Sequence, residues 1–195
     1  MIIGSTADQL GVRTYLRDMQ TILDRIDPAP VAAAIAALHA ARLGGRQVFV
    51  MGNGGSASTA SHMVCDLAKN TRGSGWPLFK VFGLADNMAL LSALSNDYGY
   101  ENAFVRQLEP VLGPDDVVVA ISTSGNSPNV LRAAALAHER AALVIGLTGF
   151  DAGALAALAH VHLHIPSDCI EHVEDAHLML EHLMVKCLRE MPLGE

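Results

Sequence analysis

Positive charge is scarce in this sequence: Lys and Arg number 13 against 20 Asp and Glu, giving a formal net charge of −7 and a pI near 5.6. A nucleic-acid surface needs clustered cations to neutralise phosphates, so no nucleic-acid partner is expected. A small anion held by backbone N–H groups is not excluded. Cysteine is also sparse. Cys65, Cys169 and Cys187 form an odd set without C-x-x-C spacing, which argues against a disulfide framework, points to a reducing compartment, and suggests buried structural thiols. Long apolar runs are missing as well. The alanine-rich stretch "VAAAIAALHAARLGG" is interrupted by His39 and Arg42, short of the roughly 20 apolar residues a membrane span requires. The first residues, "MIIGSTADQLGVR", lack a basic segment followed by an apolar one, so no secretion signal is read and a cytoplasmic location without membrane association is expected.

What is present fits one well-filled core. A length of 195 residues suits a single domain and is too short for two ordinary ones. Hydrophobic residues make up 51% and the mean hydropathy is +0.31, more than a small acidic monomer needs, so apolar helix surface is expected to face another subunit. Four apolar runs, at 47–51, 78–84, 116–122 and 142–148, read as buried parallel strands, and a fifth, "HVHLHI", ends at Ile165. Helical patterns lie between them at about 57–70, 86–95, 101–112, 127–140 and 151–159; two more precede the first strand and one closes the chain. This alternation predicts an α/β fold with a parallel sheet. The connection "NTRGSGWP" at 70–77 is a loop, not a domain linker.

In such sheets ligands sit beyond the carboxyl ends of the strands, where strand order reverses. Three loops end there: "GNGGSAS", "LADN" and "STSGNSPN". The first, Gly52-Asn53-Gly54-Gly55-Ser56-Ala57, fits the dinucleotide pattern G-x-G-x-x-G/A and equally a cradle for one phosphate. A dinucleotide site wants an acidic residue about 20 positions later, and Asp86 comes too late. The third loop favours a phosphate monoester: Ser122, Thr123, Ser124 and Ser127 put four hydroxyls beside the free amides of a helix start. Ser124 or Ser127 is also expected to cap that helix, with Pro128 in its first turn.

Titratable residues gather in two helices. His62 and Asp66 are four apart and share a face of the helix after the glycine loop. In the closing helix, "CIEHVEDAHLMLEHLMVKCL", Glu174 and His177 are three apart, and His182 lies two turns beyond Glu174 and is displaced around the axis. Spacing alone does not choose between these histidines. His160, His162 and His164 alternate along the last strand and are read as an edge feature facing solvent or a helix, not a metal cluster.

The segments "GNGGSASTASH", "SNDYGY" and "STSGNSPNVLRAA" resemble the sugar isomerase (SIS) family, and within it the phosphoheptose isomerases, over nearly the whole chain. The resemblance implies a flavodoxin-like three-layer sandwich with a central five-stranded parallel sheet over residues 46–195. It also implies that the helices of residues 1–45 serve oligomer packing, in a homotetramer whose active sites are shared between subunits. The implied activity is aldose–ketose isomerisation of sedoheptulose 7-phosphate to D-glycero-D-manno-heptose 7-phosphate. Carried over by position, the phosphate meets Ser122, Thr123, Ser124 and Ser127. The sugar meets Asn53, Gly54, Gly55, Asn96 and Asp97, and Ser56 closes the glycine loop around the substrate. His62, Asp66, Glu174 and His182 form the implied metal set, whose ligand types suit zinc. In this reading Asp66 is the base that shuttles the carbon-bound proton and His182 the acid toward the sugar oxygens, while His62 and Glu174 position metal or substrate.

The chain departs from the family where its members typically carry glutamate at Asp66, glutamine at Glu174 and aspartate at Thr59 and Glu171. Asp66 is one methylene shorter, and Glu174 adds a charge that favours a divalent ion or raises a neighbouring carboxyl. These substitutions keep acid-base chemistry and leave the sugar open. Some SIS proteins are non-catalytic phosphosugar-binding regulators, such as one that associates with the bacterial replication initiator, and this is the alternative reading.

Overall fold

The computed structural model describes residues 6–73 and 75–192. The first five residues of the stretch read for a secretion signal, Ser74 of the 70–77 connection, and residues 193–195 lie outside the described residues. Two helices come first, α1 (Thr6–Asp24) and α2 (Pro28–Leu43). Then follow β1 (Gln47–Met51), α3 (Gly55–Lys69), β2 (Lys80–Gly83), α4 (Met88–Tyr98), a 3₁₀ turn (Tyr100–Asn102) and α5 (Ala103–Leu108). β3 (Val117–Ile121), α6 (Pro128–Glu139), β4 (Leu143–Thr148), α7 (Leu155–Leu158), β5 (Val161–His164) and α8 (Ile170–Glu190) complete the described chain.

The five strands pair in parallel in the order β2-β1-β3-β4-β5. Strand order reverses at β1, so the loops leaving β1 and β3 stand side by side at the sheet's carboxyl edge, the usual place for a ligand. β3 runs through the centre and all five of its residues are buried, as the continuous apolar run demands of a strand covered on both faces. β2 differs from the expected buried run: it is a four-residue edge strand, and Phe82 is 48% exposed because no strand covers its outer side.

One face of the sheet packs residues of α2, α3 and α8, among them Leu38, Met63, Leu67, Leu180 and Met184. The other packs α5, α6 and α7 through Phe104, Leu108, Val130, Ala134 and Leu155. Asp27 starts α2 by accepting the Ala29 N–H at 2.9 Å, with Pro28 in the first turn where its missing N–H costs nothing. Arg42, one of the two residues that break the alanine run, is 1% exposed. Its guanidinium donates to Leu188 O at 3.1 Å and His39 Nδ1 at 2.9 Å and lies over the rings of Trp76 and Phe79. It therefore fastens α2 to α8. Among the described residues no helix is long and apolar enough to cross a membrane.

One expectation is corrected and another holds. The thiols are free but not buried: Cys65 is exposed and Cys169 and Cys187 are intermediate. The "HVHLHI" strand lies at the sheet edge as expected, with His162 and His164 beside residues of the α1–α2 turn and His160 exposed. His162 and His164 both approach Thr148 Oγ1, at 2.7 and 3.4 Å. His160 precedes β5, accepts the Val144 N–H and stacks on His138.

Candidate active site and its family

The cleft begins where β1 ends. Gly54, at the N-cap of α3, has φ 54° and no side-chain cap, a left-handed conformation that glycine adopts without a Cβ penalty. The first N–H groups of α3 thus remain available to an anion. Across the cleft Ser127 is the N-cap of α6, as expected, but its hydroxyl does not cap. It pairs with Ser122 Oγ at 3.1 Å, while Asn129 Oδ1 accepts the Val130 N–H. The capping expectation fails for a useful reason, because the serine hydroxyl is turned into the cleft.

Asn53, Gly54, Gly55, Ser56, Ser122, Thr123 and Ser127 line one cleft of about 290 Å³, together with Ile121, Ile170 and Glu174. Asn53 is braced by Asn129 through paired amide hydrogen bonds of 2.9 and 2.8 Å and by the Tyr100 hydroxyl at 2.7 Å. Neither Asn129 nor Tyr100 was given a role from the sequence, although Tyr100 closes "SNDYGY" and Asn129 lies in "STSGNSPNVLRAA". Ser124 does not line the cleft; it is exposed and its Oγ accepts the Asn126 N–H at 3.2 Å. Asn96 and Asp97 also stand outside it, bonded to each other at 3.0 Å on α4, a helix without a buried residue.

A second group lies further along the same pair of helices. His62 Nε2 is 3.3 Å from His182 Nε2 and 3.7 Å from Asp66 Oδ2, and the two imidazoles meet edge to face with centroids 4.7 Å apart. Glu181 joins them, its Oε2 3.5 Å from His182 Nε2. One ligand atom from each of His62, Asp66, Glu181 and His182 falls within 4.8 Å of all the others. Glu181 has no exposed surface, and among the described residues neither carboxylate oxygen has a hydrogen-bond partner. Burial and the neighbouring Asp66 carboxylate push its carboxyl up to about 8. Two imidazoles and two carboxylates in one patch suit a divalent ion such as zinc.

The structure therefore brings His62, Asp66 and His182 together and leaves Glu174 apart. Glu174 and Glu181 are seven residues apart on α8, on the same face but separated by about 10 Å along the axis. Glu174 lies over Gly55, where any Cβ would strike its carboxylate. Glu181 was missed in the sequence, although a signal existed: it falls on the stripe of His177, Leu180, Met184 and Leu188 that α8 buries. Glu171 is at the start of α8 and does not line the cleft; its carboxyl is held below the usual range by its own backbone N–H and the Cys169 thiol. Thr59 is buried on α3.

Comparison with known proteins accounts for this arrangement. The family model described as SIS domain matches residues 14–149. The phosphoheptose isomerase of Geotalea daltonii is 36% identical over 189 residues, covering 94% of this chain and 97% of the relative. The solved phosphoheptose isomerase of Neisseria gonorrhoeae superposes with a TM-score of 0.85 at 31% identity, over 92% of this chain and 97% of that one. That of Francisella tularensis superposes with a TM-score of 0.86 at 27% identity, over 96% of this chain and all of that one. With the sheet order, the paired cleft loops and these full-length matches in agreement, the chain belongs to the SIS domain family and, within it, to the phosphoheptose isomerases.

Proposed function

We propose that this chain interconverts sedoheptulose 7-phosphate and D-glycero-D-manno-heptose 7-phosphate through an enediolate. The observation that carries the reading is an anion cleft and an imidazole–carboxylate group set apart along one pair of helices. Gly55 and His62 lie seven residues apart on α3, about 10 Å. That span suits a sugar holding its phosphate at one end of a long open chain and reacting at the other.

Ser122, Thr123 and Ser127 take the phosphate oxygens along with the free amides at the start of α3. Ser124 holds the turn through the Asn126 N–H. Asn53, Gly54, Gly55 and Ser56 meet the sugar hydroxyls. In the homotetramer we infer, apolar surface at Leu10, Val12 and Leu16 of α1 and Met88 and Leu90 of α4 becomes subunit contact, and a neighbour's α4 brings Asn96 and Asp97 to the sugar. Residues 1–195 then act as one domain, with its free thiols suited to the reducing cytoplasm.

Asp66 removes the proton from one of the two reacting carbons and returns it to the other. His182 is the acid toward the sugar oxygens in the ion-free site; with zinc present, its Nε2 joins His62 and Asp66 as a ligand. Zinc bound there supplies Lewis-acid polarisation of those oxygens. Asp66 keeps a second oxygen for the proton in either state.

Proton NMR of sedoheptulose 7-phosphate in D₂O tests the reading, with chelated and zinc-supplemented protein. Wild type is expected to form the aldose and place deuterium at the shuttled carbon. Asp66→Asn is expected to lose about 10²- to 10⁴-fold in rate while still binding the sugar phosphate. Intact turnover in Asp66→Asn removes Asp66 from the mechanism. Saturable binding by wild type without conversion or exchange turns the reading to the regulator.

A further inference from the structure

The side chain of Asn53 is held at both of its polar atoms, and the way it is held decides which of them a ligand can use. We propose that Asn129 and Tyr100 are positioning residues that fix the Asn53 amide in a single orientation, so that Asn53 meets a bound sugar phosphate as an N–H donor and not as an acceptor. The proposal rests on the sugar-phosphate reading of the cleft and adds to it how the glycine loop selects atoms of the sugar.

The orientation is set from the first turn of α6. A backbone N–H can only donate, so the Asn129 atom 3.0 Å from Val130 N is the amide oxygen. The same oxygen faces an Asn53 atom at 2.9 Å, which must therefore be Nδ2, and this leaves Asn53 Oδ1 opposite Asn129 Nδ2 at 2.8 Å. The Tyr100 hydroxyl donates to that Asn53 Oδ1 at 2.7 Å. Both lone pairs of Oδ1 are then engaged, as is one Nδ2 hydrogen. Among the described residues the second Nδ2 hydrogen has no partner, and Asn53 lines the cleft beside Gly54, Gly55 and Ser122.

Burial makes the lock firm. Asn129 is 2% exposed and Val130 has no exposed surface, so turning the Asn129 amide would set its NH2 group against a buried N–H and leave that donor unpaired. Ser127 explains why Asn129 is needed there. With the serine hydroxyl turned to Ser122, α6 has no side-chain cap from Ser127, and Asn129 supplies the missing acceptor. An amide free to turn would offer oxygen or nitrogen alike. Held this way, Asn53 requires an acceptor, such as a carbonyl, hydroxyl or phosphate oxygen of the ligand.

The test uses the full chain carrying Asp66→Asn, so that sedoheptulose 7-phosphate binds without turnover. Calorimetry gives its affinity in Asn53→Ala, Asn129→Ala, Tyr100→Phe and the two double variants that include Asn53→Ala. Loss or misalignment of one hydrogen bond is expected to weaken binding about threefold to tenfold in each single variant, while inorganic phosphate, which meets the serine loop, changes less than twofold. Each double variant is expected to bind within twofold of Asn53→Ala, because Asn129 and Tyr100 act through Asn53; a merely structural role would not produce that coupling. Tyr100 is 49% exposed, so Tyr100→Phe carries the cycle should Asn129→Ala fail to fold. The amide itself is read in ¹H–¹⁵N spectra, its side-chain signal assigned by its absence in Asn53→Ala. Without ligand it is expected to exchange at least tenfold more slowly than in Asn129→Ala or Tyr100→Phe, and added sugar phosphate is expected to move one of its protons downfield. Losses that multiply in the double variants, fast exchange in the parent protein, or a bound sugar phosphate that leaves both protons unmoved overturns the proposal. Absent sugar-phosphate binding with slow exchange intact defeats the isomerase reading and leaves the lock standing.

Discussion

Acid should destabilise this protein through one buried imidazole. His177 is 1% exposed; its Nε2 meets Thr148 O at 3.2 Å and its Nδ1 has no partner among the described residues. In the neutral form Nε2–H donates to that carbonyl and Nδ1 carries only a lone pair. Protonation would bury a charge and a second N–H without an acceptor. Burial, partly offset by the Thr148 carbonyl and reinforced by the nearby His164, lowers the His177 pKa from 6.5 to about 4. The folded state then binds its proton less tightly than the unfolded one. Stability is full above the unfolded pKa and falls as pH drops from about 6.5 toward 4. At 1.36 kcal/mol per pH unit, the loss attributable to this group is about 3 kcal/mol.

The assay is urea unfolding followed by the fluorescence of Trp76, the single tryptophan, at fixed protein concentration with chelator present so that metal release does not contribute. Wild type and His177→Gln are compared at pH 7, 5.5 and 4.5. The amide keeps an N–H donor and does not titrate. His39, His160, His162 and His164 are also lowered, each mainly by burial, and steepen the acid loss in both proteins, so the difference isolates His177. The variant is expected to start less stable at pH 7 and to lose less on acidification, the gap closing by about 2–3 kcal/mol. Parallel losses in the two proteins would refute the reasoning.

Two further outcomes follow from the cleft. Ser127→Ala removes a hydroxyl 3.1 Å from Ser122 Oγ and one hydrogen bond to a charged ligand, so inorganic phosphate affinity by calorimetry should fall by about 1.5–3 kcal/mol, with thermal stability little changed because that hydroxyl caps nothing. Glu174→Gln replaces a carboxylate in the cleft lining with a neutral amide; relief of like-charge repulsion through hydrated space is worth about 1 kcal/mol, so phosphate should bind about fivefold tighter and less so at high salt.

The alternation of apolar runs with helical patterns was enough to give a parallel α/β sheet, because strands covered on both faces read as continuous Val, Ile and Leu. Among the strands, length misled at the edge, where β2 occupies four residues of the longer run at 78–84; among the helices, the patterns at 101–112 and 151–159 shortened to Ala103–Leu108 and Leu155–Leu158. The two anion loops were legible for the same kind of reason: glycines and hydroxyls at a strand–helix junction act through backbone amides that the next residues leave free. Side-chain hydroxyl direction was not legible, and Ser127 serves the cleft where capping was expected.

The imidazole–carboxylate patch marks the boundary. Sequence spacing placed His62 and Asp66 on one face of α3, because four residues is about one helical turn. It offered Glu174 on α8 and passed over Glu181, although residues seven apart share a face and differ only in height. The packing of α8 on α3 decided the height: Glu174 faces Gly55, and Glu181 with His182 faces His62 two turns later. The sequence by itself determined the layers, the strand-end loops and the types of chemical group. Which carboxylate completes the imidazole pair depended on the register between two helices more than 100 residues apart in the chain, a quantity set by core packing and absent from any local pattern.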